Sequence, residues 1–220
     1  MSPSRSLSIL FLSAFALAAC GGGGSDDAGV TPTPTPPAPS LTCSATGVTA
    51  SNASTFNTVC MLTTQGEIVV ELYANKAPVT VANFLKYVNA GRYDNTLYHR
   101  VVAGFVDQGG GFKADLSPVD TYAPITLESN NGLSNTRGTI AMARTNDPNS
   151  ATSQFFINLV DNSACLDFGK VTCDTTGKGY AVYGKVIAGL DAVDKIAAVA
   201  VDANGLPRQP VVTYWAKQLK

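Results

Sequence analysis

The residues of this chain that are best placed to do chemistry lie within positions 98–111. Arg100 stands inside an apolar run, Phe105 follows it, and Gln108 precedes a run of three glycines. This spacing predicts a strand, a tight turn and a second strand. The turn would bring a guanidinium and a phenyl ring to one pocket. A cation in such a pocket can stabilise charge or a lone pair that develops during a reaction.

Composition and motifs exclude several other kinds of chemistry. Lys and Arg number 15 against 16 Asp and Glu, so nothing in the charge balance favours nucleic acid as a partner. His99 is the only histidine, and a zinc site or a Ser/His/Asp triad would have to be built on it alone. No HExxH, CxxC, GxGxxG or GxxxxGK[ST] pattern occurs. We therefore expect no metal and no cofactor, and we interpret the glycine run as backbone geometry.

Residues 1–19 have the composition of an export signal. Arg5 precedes an apolar run of 13 residues, 7–19, which is too short to span a bilayer as a helix. The run ends in Leu17-Ala18-Ala19-Cys20, which resembles the lipobox of bacterial lipoproteins. That resemblance implies cleavage before Cys20 and lipidation of its sulfur and amine. Ordinary cleavage after Ala18 is the alternative.

Residues 20–40 predict a tether between the lipidated cysteine and a folded domain at 41–220. Four glycines follow Cys20, and residues 31–39 contain five prolines. Such segments act as spacers, although a proline-rich run can also be a ligand for other domains. Gly21 follows the cysteine, and in enteric lipoproteins an aspartate there favours the inner membrane. The resemblance therefore predicts an outer-membrane anchor, with the domain facing the periplasm.

Five cysteines are an odd number for an exported protein. Lipidation of Cys20 explains the odd thiol and leaves four cysteines, which allow three pairings in an oxidising compartment. Pairs close in sequence are favoured, namely Cys43 with Cys60 and Cys165 with Cys173. Free buried thiols are the alternative.

Apolar patterns of period two, bounded by turn residues, predict eight strands. The expected ranges are 58–64, 67–73, 97–102, 105–108, 138–143, 154–159, 180–186 and 211–217. Apolar stripes with helical spacing predict helices over 78–90 and 190–199. Many short strands without a βαβ rhythm favour a mainly β fold in which an antiparallel sheet closes into a barrel. Periodicity alone does not indicate a function.

Several longer segments resemble the cyclophilin-type peptidyl-prolyl cis-trans isomerases. They occur in order over about residues 59–215, at 67–73, 77–84, 98–111, 131–144, 153–157 and 180–186. The segment 136–144, Thr-Arg-Gly-Thr-Ile-Ala-Met-Ala-Arg, is most similar to sequences of the bacterial periplasmic branch. The resemblance implies a closed eight-stranded antiparallel barrel capped by two α-helices. It also implies catalysis of rotation about X–Pro bonds in proline-containing peptides, without a nucleophile, metal or cofactor.

The resemblance also assigns roles to particular residues. Arg100 matches the catalytic arginine, which would bond the prolyl nitrogen as twisting gives that nitrogen a lone pair. Phe105 and Gln108 complete the catalytic set, the first in the proline pocket and the second orienting the arginine. The remaining expected substrate-site residues are His99, Val106, Ala143, Arg144, Thr145, Gln154, Phe156, Leu166 and Tyr180. The alternatives are a surface salt bridge for Arg100 and simple barrel core for the apolar members.

Two of these residues carry a more specific expectation. The backbone of Arg144 is expected to bond the main chain of the substrate. His99 matches a histidine beside the site, and we expect its role to be structural.

Three features depart from the family pattern. Cys165 stands where relatives carry tryptophan or phenylalanine, so an aromatic wall is lost, which predicts weaker binding of cyclosporin and of proline. Tyr180 replaces a histidine of eukaryotic members, and Arg144 with Thr145 adds a charge at the groove. Segment 167–179 is longer than usual and carries Cys173. We hypothesise that a Cys165–Cys173 bridge replaces the lost wall and fixes this loop over the pocket.

The sequence favours a tethered, monomeric prolyl isomerase that assists the folding of exported proteins. One alternative is a peptide-binding chaperone on the same fold, with catalysis silenced by the change at Cys165. The other is a surface-display or adhesion lipoprotein. Natural substrates and the preferred residue before proline are not apparent from the residues.

Overall fold

Alternating apolar residues form eight strands in the part of the chain that the computed structural model describes, residues 39–220. The strands are β1 (Asn57–Thr63), β2 (Gly66–Leu72), β3 (Thr96–Val102), β4 (Val106–Lys113), β5 (Thr139–Met142), β6 (Phe155–Asn158), β7 (Val182–Ala188) and β8 (Val212–Gln218). They close into a barrel in the order β1-β2-β7-β5-β6-β4-β3-β8. All pairs are antiparallel. The predicted closed antiparallel barrel is therefore confirmed.

The predicted signal peptide, Cys20 and the tether up to residue 38 lie outside the described residues. Within the described part, no helix is both long and apolar enough to cross a membrane.

Strand β4 is longer than predicted because the glycine run continues it. A side chain at Gly110, whose φ is +76°, would place its Cβ 2.8 Å from Tyr93 and 2.9 Å from the carbonyl oxygen of Ser153. A Cβ at Gly111 would lie 2.8 Å from the Gln154 carboxamide carbon. These glycines allow neighbouring groups to approach the strand closely, as the interpretation of the run as backbone geometry expected.

Four helices accompany the barrel in the described residues. They are α1 (Ala45–Ala53), α2 (Pro78–Asn89), α3 (Ser163–Leu166) and α4 (Leu190–Ala197). The two predicted helices are α2 and α4, which bury apolar stripes against the barrel core. Proline at the first position starts α2, and Gly91, with φ +64°, follows its end. The helices α1 and α3 were not predicted.

Helix α1 has no apolar stripe, which is why its sequence pattern did not reveal it. Ser44 caps it, since its hydroxyl accepts a hydrogen bond from the Gly47 N–H at 3.1 Å. The Ser44 N–H and hydroxyl also donate to the Glu67 carboxylate on β2, both at 2.7 Å. A disulfide joins Cys43, just before the helix, to Cys60 on β1.

The first described residues pack on the outer face of the barrel at β1 and β8. The carbonyl of Ser40 accepts a hydrogen bond from the Trp215 indole N–H at 2.7 Å. Trp215 forms a small apolar cluster with Cys60 and Val69, and Cys43 packs against it. Covalent and polar contacts therefore fix the chain where it enters the folded domain.

Candidate active site

A pocket of about 340 Å³ opens on the outer face of the barrel. It is lined by Arg100, Phe105, Val106, Gln108, Ala143, Arg144, Phe156, Leu166, Cys173 and Tyr180. Nine of these ten residues were expected in the substrate site from the sequence, and only Cys173 was not assigned to it. The structure thus brings the expected residues together, while their individual roles stay predictions.

Arg100 reaches the pocket because of an irregularity in β3. The pairing of β3 with β4 shifts register between Tyr98 and Arg100. Tyr98 and Val101 belong to the interior core, whereas both intervening residues are half-buried on the outer side. A bulge of this kind adds one residue to a strand and turns the next side chain to the other face. The bulge therefore directs the Arg100 side chain to the outer face, where Arg100 pairs with Gln108 of β4.

The guanidinium of Arg100 makes no ion pair and no hydrogen bond with any residue in 39–220. The ion pairs in this range join other residues. The alternative of a surface salt bridge is therefore not what the described residues show. Its stem is supported by a turn, because the Val101 N–H donates to the Gly205 carbonyl at 2.8 Å and Gly205 packs beside Arg100.

Gln108 makes no hydrogen bond to Arg100 within the described residues, and its expected role in orienting the arginine stays a prediction. Its carboxamide N–H donates instead to the side-chain oxygen of Gln154 at 2.8 Å. The two side chains meet because β4 pairs with β6 and Gln154 directly precedes β6. Gln108 therefore connects the main pocket to the residues beside it.

A second pocket of about 170 Å³ adjoins the first and shares Gln108, Ala143 and Arg144 with it. Thr145 and Gln154 line this second pocket and not the main one, together with Ser150 and Thr152.

His99 lines neither pocket. Its ring packs edge-on against Phe112, with ring centroids 5.0 Å apart. Burial lowers the pKa of His99 below its ordinary value, which favours the neutral ring. His99 thus lies next to Arg100 in the chain and lines neither pocket of the described residues, and its structural role stays a prediction.

The floor of the main pocket is apolar. Val106, Phe156 and Leu166 are each at least 96% buried, and they pack on Ala141 and Val182. Such a surface suits an apolar ring like that of proline. The predicted alternative, simple barrel core, does not describe these residues, because their cluster is separate from the interior core and lines an open pocket.

Three asparagines behind the floor were missed by sequence reasoning. The Asn162 amide donates to the Phe105 carbonyl and to the Asn158 side chain, both at 2.9 Å. The Asn158 amide donates to Asn135 at 3.2 Å, and Asn135 donates to the Leu166 carbonyl at 3.3 Å. This chain of bonds holds two lining residues, Phe105 and Leu166. The one signal available in the sequence was Asn158 itself, a polar residue inside the otherwise apolar run 155–159.

Arg144 adds no free charge to the groove, contrary to expectation. Its side chain is only 1% exposed, and it forms an ion pair with Asp174, 5% exposed, at 2.6 Å. Neither the N–H nor the C=O of Arg144 makes a hydrogen bond within the described residues. Arg144 lines both pockets, and the bond from its backbone to a substrate main chain stays a prediction.

The loop that follows α3 closes one side of the pocket. A disulfide joins Cys165 to Cys173, and it is Cys173 that lines the pocket. Both disulfides are those that closeness in sequence favoured. The loop therefore stands where the sequence placed a replacement for the missing aromatic wall.

Comparisons with known proteins agree with this geometry. The family model described as cyclophilin type peptidyl-prolyl cis-trans isomerase/CLD matches residues 58–216. A peptidyl-prolyl cis-trans isomerase of Acinetobacter baylyi is 50% identical over 155 residues, covering 69% of this chain and 79% of the relative. Isomerase A of Dickeya dadantii is 46% identical over 182 residues, covering 80% and 93%. Isomerase B of Escherichia coli is 49% identical over 154 residues, covering 68% and 92%.

A solved cyclophilin-type isomerase of Cryptosporidium parvum has the same fold. Its crystal structure matches with a TM-score of 0.61 and 23% identity, covering 75% of this chain and 98% of that one. A second structure of the same protein, in the presence of the dipeptide Ala-Pro, matches with a TM-score of 0.60.

The barrel, its outer pocket and these relatives define a peptidyl-prolyl cis-trans isomerase, an enzyme that catalyses rotation about the bond before proline. The chain belongs to the cyclophilin-type family of these enzymes. The periplasmic branch and the lipoprotein leader stay predictions.

Proposed function

We propose that Arg100 is the catalytic residue of this isomerase and that the apolar floor beside it binds the prolyl ring. The observation that carries the proposal is a guanidinium without a partner among the described residues, beside a buried apolar floor. The peptide bond resists twisting because of resonance, with a barrier of about 18–20 kcal/mol. A group that binds the twisted form better than the planar form lowers that barrier.

Arg100 can make that distinction. In the planar peptide the prolyl nitrogen has no lone pair to offer, whereas the twisted, pyramidal nitrogen accepts a hydrogen bond from the guanidinium. A charge-assisted bond of about 1.5–3 kcal/mol corresponds to roughly 10- to 150-fold in rate. Exclusion of water and the holding of the peptide in a twisted pose supply the remaining acceleration.

The test of catalysis is NMR exchange between the cis and trans forms of a short Ala-Pro peptide. We expect clear acceleration by the protein and a loss of roughly 10- to 150-fold in kcat for Arg100→Ala. Arg92→Ala is the matched control, because Arg92 lies over the Tyr122 ring and not in the pocket. An Arg100→Ala variant with the parent kcat would contradict the role given to this residue.

We further propose that the enzyme acts as a monomer on X–Pro bonds of exported proteins, anchored through lipidated Cys20 in the outer membrane and facing the periplasm. The export-like leader supports this, as do two disulfides in the folded domain, since such bonds persist in oxidising compartments. A single acyl chain anchors weakly, whereas several anchor stably.

Labelling of cells with radioactive palmitate tests the anchor. We expect the protein to take up label and to sediment with outer membranes, and the Cys20→Ala variant to do neither. Label retained by Cys20→Ala, or an unlabelled parent protein, would contradict lipidation at this residue.

A further inference from the structure

The wall formed by residues 167–179 has an ordered polar centre in the carboxylate of Asp174. This carboxylate accepts hydrogen bonds from the Thr176 N–H at 3.1 Å, the Thr176 hydroxyl at 2.7 Å and the Gly179 N–H at 2.7 Å. Although burial opposes ionisation, the bonds from Thr176 and Gly179 and the charge of Arg144 together lower the pKa of Asp174. The buried carboxylate is therefore ionised and organises the loop around itself.

Arg144 carries this organisation from the loop to the pocket. Its Nη2 donates to Asp174 at 2.6 Å, its Nε donates to the Gly179 carbonyl at 3.0 Å, and its Nη1 donates to the Thr145 carbonyl at 2.8 Å. The guanidinium also lies over the Tyr180 ring, 4.6 Å from the centroid. These bonds hold the guanidinium of Arg144 in one position against the ring of Tyr180.

Tyr180 completes the connection to the pocket floor. Its ring meets Phe156 edge-on, with centroids 5.6 Å apart, and both residues line the pocket. At the other end, Cys173 immediately precedes Asp174 and is bonded to Cys165, next to the lining residue Leu166. A continuous set of contacts thus runs from the disulfide through Asp174 and Arg144 to the floor.

We propose that Asp174 is a positioning residue for binding of the prolyl ring, acting through Arg144 on Tyr180 and Phe156, with the Cys165–Cys173 bond holding it in place. The proposal rests on the proposed role of the pocket floor. Arg144 and Asp174 are both almost fully buried, so the loss of either charge leaves the other without compensation. The loop and Tyr180 would then shift together.

The kinetic signature of this role differs from that of catalysis. In this proposal, Tyr180 and Phe156 contact the prolyl ring in the planar and twisted forms of the peptide alike. Displacing them therefore weakens binding of the ground state and of the transition state equally. We expect Asp174→Asn to raise KM by roughly two- to ten-fold, the lower part of the range for residues coupled in one network, with kcat within about two-fold of the parent.

The matched control for this substitution is Asp194→Asn. Asp194 also pairs with an arginine, Arg137, at 2.9 Å, but both side chains are about half exposed and neither lines the pocket. A merely structural role for Asp174 would lower the unfolding temperature and leave KM at 10 °C unchanged, and that result would overturn the proposal.

A second experiment tests the same proposal without changing any charged residue of the protein. In a Cys43→Ser/Cys60→Ser background, a reductant can open only the bond between Cys165 and Cys173 among the described residues. We expect reduction to raise KM for the Ala-Pro peptide and reoxidation to restore it in the same folded sample, monitored by circular dichroism. Reductant should not change KM in Cys165→Ser/Cys173→Ser.

The outcomes separate the two proposals. A KM unchanged by Asp174→Asn overturns the positioning role, as does a fall in kcat alone, and a KM unchanged by reduction removes the Cys165–Cys173 bond from that role. Parent-like kcat in Arg100→Ala removes the catalytic assignment of Arg100, and a KM effect of Asp174→Asn would still stand in that case.

Discussion

Asp107 carries its carboxyl group in the interior of the barrel, one residue before Gln108 of the pocket. Its neighbours Val106 and Gln108 line the outer pocket, so alternation along β4 turns Asp107 inward, where it is fully buried. Neither of its oxygens has a hydrogen-bond partner among the described residues, and the same holds for the hydroxyls of Tyr98 and Tyr183. Burial, and then the charge of Asp194, raise the pKa of Asp107 to about 8.

This pKa predicts a pH dependence of stability. An unfolded aspartate releases its proton near pH 3.8, whereas folded Asp107 keeps it up to about pH 8. The folded state therefore binds the extra proton between these values, and the free energy of unfolding falls as pH rises through this window. The slope from this one group is about 1.4 kcal/mol per pH unit at most, and above pH 8 it vanishes.

Asp107→Asn tests the slope because asparagine has a similar shape and does not titrate. Urea unfolding at pH 5, 6, 7 and 8 should show a shallower decline than in the parent and a higher stability at pH 8. Asp115→Asn, an exposed carboxylate, serves as the control. Equal slopes in parent and Asp107→Asn would show that Asp107 is charged in the folded protein.

The sequence predicted which residues form the site better than it predicted the contacts that those residues make. The sequence named Arg100, Phe105 and Gln108 because their spacing and family resemblance are local properties. The bulge that aims Arg100 outward was not visible, because residues 97–102 do not alternate cleanly between apolar and polar. The partner of Arg144 lies 30 residues away in a loop, and no local pattern connects the two.

At the level of elements, predictability followed apolar periodicity. Helices α2 and α4 bury apolar stripes, and their positions were predicted to within two residues. Helix α1 buries only Gly47 and Ser51, so it had no stripe to recognise. It is held instead by its cap, by Glu67 and by the Cys43–Cys60 bond. Strand β4 was underestimated because glycines are rare in strand interiors.

Ser44→Ala tests how α1 is held. Alanine removes the hydroxyl that caps the helix and donates to Glu67, so we expect the free energy of unfolding to fall by about 0.5–2 kcal/mol. Isomerisation of the Ala-Pro peptide at 10 °C should be unaffected, because α1 contributes no residue to the pocket. Ser40→Ala is the control, since its hydroxyl contacts only the nearby Thr42. Equal stability of Ser44→Ala and the parent would show that the disulfide and the bond from the backbone N–H of residue 44 to Glu67 suffice to hold the helix.

In the whole domain, the pocket and the point where the chain enters lie on two different outer faces of the barrel. The pocket takes residues from β3, β4 and β6 and from the segments next to β5 and β7. The chain enters at β8 and β1, through Ser40 on Trp215 and Cys43 on Cys60. In the closed order, β1 lies four strands from β6 in either direction. The face where the chain enters and the face that carries the pocket therefore lie on opposite sides of the barrel.

This arrangement has a consequence for immobilised enzyme. A sensor surface coated with the domain through a handle fused directly at Pro39 would leave the pockets turned toward the solution. Activity per molecule toward a long unfolded protein should then stay constant as coating density rises, until neighbouring molecules touch. Coupling through a cysteine introduced at Thr145, an exposed residue of the second pocket, should block that substrate. A short Ala-Pro peptide, being small, should still enter the main pocket.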